Sequence, residues 1–82
     1  MNEKMKEEII NFMSVYFKTV GYRTIILKEE KGNEVIYNLL IPKKRLFIGF
    51  DFDKKEIIVV DENGKEFIYD IGLILKSMIL LS

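Results

Sequence analysis

The sequence predicts an α+β domain: an N-terminal helix, a five-stranded antiparallel meander that can curl strongly, and a C-terminal helix. Three observations carry that prediction. Apolar residues recur at helical spacing over residues 3–20. β-Branched and aromatic runs alternate with short breaks of Gly, Asn, Asp and Lys over residues 22–69. Residues 71–81 form a nearly unbroken apolar segment, too short to span a bilayer. All connections are short, which makes neighbouring strands antiparallel. The 82 residues are enough for one domain, spanning 1–82.

The first helix takes its apolar stripe from Met5, Ile9, Phe12, Met13, Tyr16 and Val20, widened by Ile10 and Phe17. Glu3, Lys4, Glu7, Glu8, Asn11, Ser14 and Lys18 fill the polar side. Asn2 is the expected N-cap and Gly21 the left-handed stop. Strands over 22–30 and 34–41 follow, joined by a turn at Lys31-Gly32-Asn33. Pro42 ends the second of them because it has no N–H for a ladder. Lys43-Lys44-Arg45 is a charged connection to a third strand over 46–52. Asp53-Lys54-Lys55 turns into a fourth over 56–61.

Asn63-Gly64 then makes a hairpin turn into the fifth strand, 65–69. A two-residue loop there sets Val60 opposite Phe67 and Ile58 opposite Tyr69 on the core face. The other face then opposes Asp61 to Glu66, a like-charge pair. Asp70 is the expected cap of a helix over 71–81, in which only Lys76 and Ser77 are strongly polar. A strand competes with that helix on periodicity alone; Met and Leu without a β-branched cluster after Ile74 favour the helix.

Composition excludes more than it assigns. There is no Cys and no His, which removes disulfides, thiolate nucleophiles, Cys/His zinc sites and the imidazole base. The seryl and threonyl hydroxyls have no histidine to activate them. Lys76 and Ser77 are adjacent on a helix, so they point apart and make no dyad. The five glycines are scattered and form no phosphate loop. No cofactor is expected, and a catalytic role is not.

Two charged clusters remain. Asp51 and Asp53, with Glu56 across the turn, present carboxylates to a hard cation, but lack the glycine and ligand spacing of a calcium loop. A metal-dependent enzyme is thus the weakest of the readings, and a solvated turn the simpler one. Lys43, Lys44 and Arg45 are the candidate nucleic-acid contacts, extended by Arg23, Lys54 and Lys55 with Phe47 or Tyr37 for stacking. Lys+Arg number 13 and Asp+Glu 13, so the zero net charge gives nucleic-acid binding no support, while leaving little repulsion between copies.

The strands are apolar on both faces. Val35, Tyr37, Leu39 and Ile41 point one way and Ile36 and Leu40 the other; Leu46, Ile48, Phe50 and Phe52 oppose Phe47. Helices on both faces, a curled barrel or a second copy would each absorb that excess. The expected function is therefore a non-enzymatic protein-interaction module, self-associating as a homodimer or binding another protein. Phe17, Ile74, Met78 and Leu81 are its contact residues. The alternative is a small prokaryotic or viral accessory protein that regulates or inhibits a protein or nucleic-acid target. Absent Ala and Gln, abundant Ile and Lys in excess of Arg suit an AT-rich source or a thermophilic one. The charged N-terminal residues do not read as a signal peptide, which makes the cytoplasm the expected location and the membrane no partner.

Overall fold

The computed structural model describes residues 2–81. The chain runs α1 (Glu3–Thr19), β1 (Ile25–Lys31), β2 (Glu34–Ile41), a 3₁₀ turn (Pro42–Lys44), β3 (Leu46–Asp51), β4 (Glu56–Val60), β5 (Glu66–Asp70) and α2 (Ile71–Leu81). The predicted α+β order is correct, including the helical reading of 71–81.

Local chemistry sets the ends of α1. Asn2 Oδ1 accepts the Met5 N–H at 2.8 Å, the side-chain cap expected from its position. At the other end Gly21 adopts φ 96°. The Gly21 N–H reaches the Lys18 carbonyl at 3.0 Å and the Tyr22 N–H the Phe17 carbonyl at 2.9 Å. These are the two bonds of a Schellman motif, with Tyr22 and Phe17 as the hydrophobic pair that accompanies it.

The strands form one sheet in the order β1-β2-β3-β4-β5, every neighbour antiparallel. The outer strands β1 and β5 do not pair, so no barrel closes. Gly32 at φ 61° is the first residue of a two-residue loop between Lys31 and Glu34, the position of glycine in a type II′ hairpin. The 3₁₀ turn after Ile41 ends on Arg45 in the left-handed region, with its N–H bonded to the Pro42 carbonyl.

The β4–β5 hairpin departs from expectation. Asp61 and Lys65 bracket a three-residue loop: the Asp61 N–H bonds the Lys65 carbonyl, and the Gly64 N–H bonds the Asp61 carbonyl, each at 3.0 Å. Asp61 Oδ1 also accepts the Asn63 and Lys65 N–H groups at 2.9 and 3.0 Å. Gly64 sits at φ 79°, the left-handed residue that follows the turn in such loops. The register therefore shifts by one. Val59 pairs Phe67, Ile57 pairs Tyr69 and Val60 pairs Glu66. Phe67 and Tyr69 belong to the helix side with Val59 and Ile57, and Ile58 and Val60 turn to the other side. Asp61 and Glu66 are not opposed; the facing carboxylates are Glu56 and Asp70.

Both helices pack on one face. The core joins Ile9 and Met13 of α1, Leu39 and Ile41 of β2, Ile48 of β3, Ile57 of β4 and Ile71 of α2. Each large aliphatic side chain removed from water in this way contributes about 1.5–3 kcal/mol. Helix α1 is turned relative to the predicted stripe. Ile10 and Ser14 are buried with Ile9 and Met13, while Met5, Tyr16 and Val20 are exposed. Ser14 Oγ sits 2.7 Å from Thr24 Oγ1 at the start of β1, so its hydroxyl is satisfied inside. The result is a two-layer plate of 32 × 31 × 20 Å. No helix among the described residues is long and apolar enough to cross a membrane.

Candidate interaction surface

The second sheet face carries no helix. Its residues follow from the register. Ile25, Leu40, Phe47 and Val60 are cross-strand neighbours in one row. Leu27, Asn38, Gly49, Ile58 and Ile68 make the next. Asp51, Glu56 and Asp70 follow in a third, with Ile36 and Glu29 paired on the β1–β2 side. Leu27, Phe47 and Ile68 are exposed at 43, 40 and 61 %, and the other apolar members are half-buried by their sheet neighbours alone. An antiparallel sheet with one solvated face normally alternates apolar and polar residues. This one does not, and neither a second helix layer nor barrel closure covers the surplus.

The face has relief. The β2–β3 ladder stops at the Asn38–Gly49 pair, while β1–β2 and β3–β4 run on as separate hairpins. Between them lies a hollow of about 380 Å³, whose lining includes Ile36, Asn38, Gly49, Asp51 and Ile58 together with Lys6 of α1. Charge is asymmetric along the strands. Glu29, Asp51, Glu56 and Asp70 mark one end of the face, and Arg23, Lys43, Lys44 and Arg45 gather at the other.

The residues expected at an interface are divided. Phe17, Ile74 and Met78 are half-buried and pack on the core; Leu81 is exposed. The outward side of α2 is instead Leu73, Ile79, Leu80 and Leu81. Between the helices a second, apolar groove of about 300 Å³ is lined by Phe12, Met13, Tyr16, Ile74, Ser77 and Leu81.

The charged candidates are partly engaged. Arg45 Nη1 is 3.0 Å from Glu62 Oε2, and Lys44 Nζ lies 5.3 Å from the Tyr22 ring centre. Lys54 and Lys55 are in the β3–β4 turn, at the far end of the strands, so they do not extend the Lys43–Arg45 cluster. Tyr37 is buried beneath α1 and cannot stack on a base. Asp51 Oδ1 accepts the Lys54 N–H at 3.0 Å, which fixes the turn. Among the described residues no three carboxylates stand close enough together to hold a metal ion.

Among the described residues no seryl or threonyl hydroxyl has a base beside it. Thr19 and Ser77 donate to the carbonyls of Val15 and Leu73 in the preceding helical turn, and Ser14 pairs with Thr24. The most perturbed group is Tyr37. Its hydroxyl donates to Glu7 Oε1 at 3.2 Å and Glu3 Oε2 at 3.4 Å. Burial first, and then the negative charge of Glu7 and Glu3, push its pKa up to about 12. A phenol held protonated between two surface carboxylates ties α1 to β2; no cavity faces its oxygen.

The open face escaped the sequence reading in part. Ile36, Leu40 and Phe47 were legible as opposite to the core, but Ile58 and Val60 were not, because the one-residue error at Asn63-Gly64 put them inside. The signal was Asp61, a residue that bonds backbone N–H groups two positions on and so favours a longer loop. Comparison with protein-family models, curated proteins and solved structures finds no match.

Proposed function

We propose that this chain is a non-enzymatic protein-interaction module that works as a self-associated pair, and that the open sheet face is where the pair meets. The observation that carries the reading is surface area. A compact monomer of 9.7 kDa is expected to expose about 5100 Å². This chain exposes 5950 Å². The surplus of about 800 Å² equals what one partner contributes to an interface of standard size.

Three further facts support it. Every strand puts an apolar residue on the face: Ile25 and Leu27, Ile36 and Leu40, Phe47, Ile58 and Val60, and Ile68. The net charge is zero, so copies do not repel at long range. Among the described residues the seryl and threonyl hydroxyls are engaged by backbone or by each other, and the sequence has no Cys or His, which favours binding over nucleophilic catalysis.

Sedimentation equilibrium over a wide concentration range tests the proposal. The expected result is a mass of two chains that falls toward one on dilution. A single-chain mass at every concentration overturns self-association and gives the face to a different protein.

A further inference from the structure

Gly49 stands where the β2–β3 ladder ends and the hollow of the uncovered face begins. A glycine within a strand costs backbone entropy and forfeits a side chain, so it usually marks a bulge, a strained φ or the close approach of another group. None of the first two applies. The pairing is one-to-one on both sides, with Ile58 inside the β3–β4 ladder and with Asn38 as the last pair of the β2–β3 ladder, so there is no bulge. Its φ is not among the positive ones. A methyl group added there would meet Asn38 Oδ1 at 3.5 Å, Phe47 Cε1 at 3.7 Å and the Ile58 carbonyl oxygen at 4.0 Å, all ordinary contacts. The missing side chain leaves open the near end of the hollow that lies between the parted ends of β2 and β3.

Two residues away on the same strand and the same face stands Phe47, 40 % exposed. A ring and a hollow side by side become two identical contacts under a two-fold axis, because residue i then meets j while j meets i. The axis has to lie in the plane of the face, across the strands, between Phe47 and Gly49. It keeps β3, the central strand, over the β3 of the second copy and reverses its direction. Phe47 of each copy then lies over Gly49 of the other. The same operation sets Arg45 of each copy over Asp51 of the other.

Resting on the self-association reading above, we propose that two copies pack open face to open face about this axis, Phe47 into the Gly49 hollow and Arg45 against Asp51. Charge selects this arrangement over its rival. The reversed direction lays the acidic row, Asp51, Glu56 and Asp70, over the end that carries Arg23, Lys43, Lys44 and Arg45 along with Asp61 and Glu62, where cations outnumber carboxylates. An axis along the strands would instead lay the carboxylate row on itself, and like charges across an interface reject a partner. Arg45 keeps Glu62, since a guanidinium has donors for two carboxylates. Facing sheets cross at about 30°, which preserves contacts near the central strand and lets β1 and β5 diverge.

The experiment has two arms, both read as dissociation constants by sedimentation with circular dichroism as a control for folding. The first is Gly49→Val. Valine suits a strand, so the protomer keeps its fold and thermal stability, but the filled hollow weakens association by at least about tenfold. The second is a charge swap, Arg45→Glu in one chain and Asp51→Arg in another. Each variant alone associates at least about tenfold more weakly than wild type, and mixing the two restores a heterodimer. A wild-type dimer whose Gly49→Val and charge-swapped forms associate as tightly as the parent overturns this arrangement and leaves self-association standing. A monomeric wild type overturns the underlying reading instead.

Discussion

The backbone N–H of Gly72 donates to Asp70 Oδ1 at 2.6 Å, and a Cβ on Gly72 would lie 2.9 Å from that same oxygen. Asp70 thus caps α2 from the last position of β5, and a methyl group at residue 72 would press on that carboxylate. The turn into the helix is fastened from a second side by the Ile71 N–H, which reaches the Lys55 carbonyl at 2.9 Å. The core residue Ile71 is held between these two bonds.

A double-mutant cycle follows from that contact. Gly→Ala within a helix normally gains about 1 kcal/mol. Here the new methyl displaces the capping carboxylate, whose loss costs about 1 kcal/mol. Gly72→Ala alone is therefore expected to leave stability nearly unchanged. In an Asp70→Ala background, where no cap remains to displace, the same substitution should stabilise by about 1 kcal/mol. Urea unfolding of the four chains measures the coupling, and a full gain in the wild-type background would contradict the steric account.

Tyr37 gives a pH signature. Its pKa is raised to about 12 in the folded chain, against 10.0 for a free phenol, by burial and by the neighbouring Glu7 and Glu3. Between those two values the unfolded chain holds fewer protons than the native one, so stability falls as pH rises through that window. Below about pH 10 the contribution is fully present. Tyr37→Phe loses the two hydrogen bonds and should cost about 0.5–1.5 kcal/mol near neutral pH. The gap between wild type and variant should then narrow as pH climbs from about 10 to about 12, because only the wild type carries the phenol. Denaturant unfolding of both chains at matched pH values checks the sign; a gap that widens would refute it.

Elements whose signals are local could be read without coordinates. The Asn2 cap, the Gly21 stop, the Gly32 hairpin and the helix from Ile71 to Leu81 each rest on side-chain or backbone preferences within a few residues. What failed was where two local rules compete or where distance decides. At residues 61–65 the Asn-Gly preference for a tight turn meets the preference of Asp61 to bond N–H groups further on, and Asp61 wins. On α1 the apolar stripe is wide enough that its centre cannot be found from spacing alone. Burial falls on Ile10 and Ser14 because Thr24 offers the serine a partner, a contact set by tertiary structure. That both helices choose one face, leaving Ile58 and Val60 outside, is likewise a product of packing.

The Asp61 loop is the place where this competition can be measured. Asp61 Oδ1 holds the Asn63 and Lys65 N–H groups, and Gly64 occupies φ 79°. Asp61→Ala removes the acceptor and should cost about 1 kcal/mol, with faster hydrogen exchange at the Asn63 and Lys65 amides. Asp61→Asn retains an acceptor oxygen and should cost less. Gly64→Ala forces a side chain into the left-handed region and should cost about 1–2 kcal/mol. None of the three should slip the register, because a one-residue shift would carry Phe67 and Tyr69, each with about half or more of its surface covered beside Val59 and Ile57, to the open face. Cross-strand nuclear Overhauser contacts decide the matter. Val59 to Phe67 is expected in the wild type and in every variant, and Val60 directly opposite Phe67 in any of them would show that the loop, not the partial cover on the helix side, sets the register.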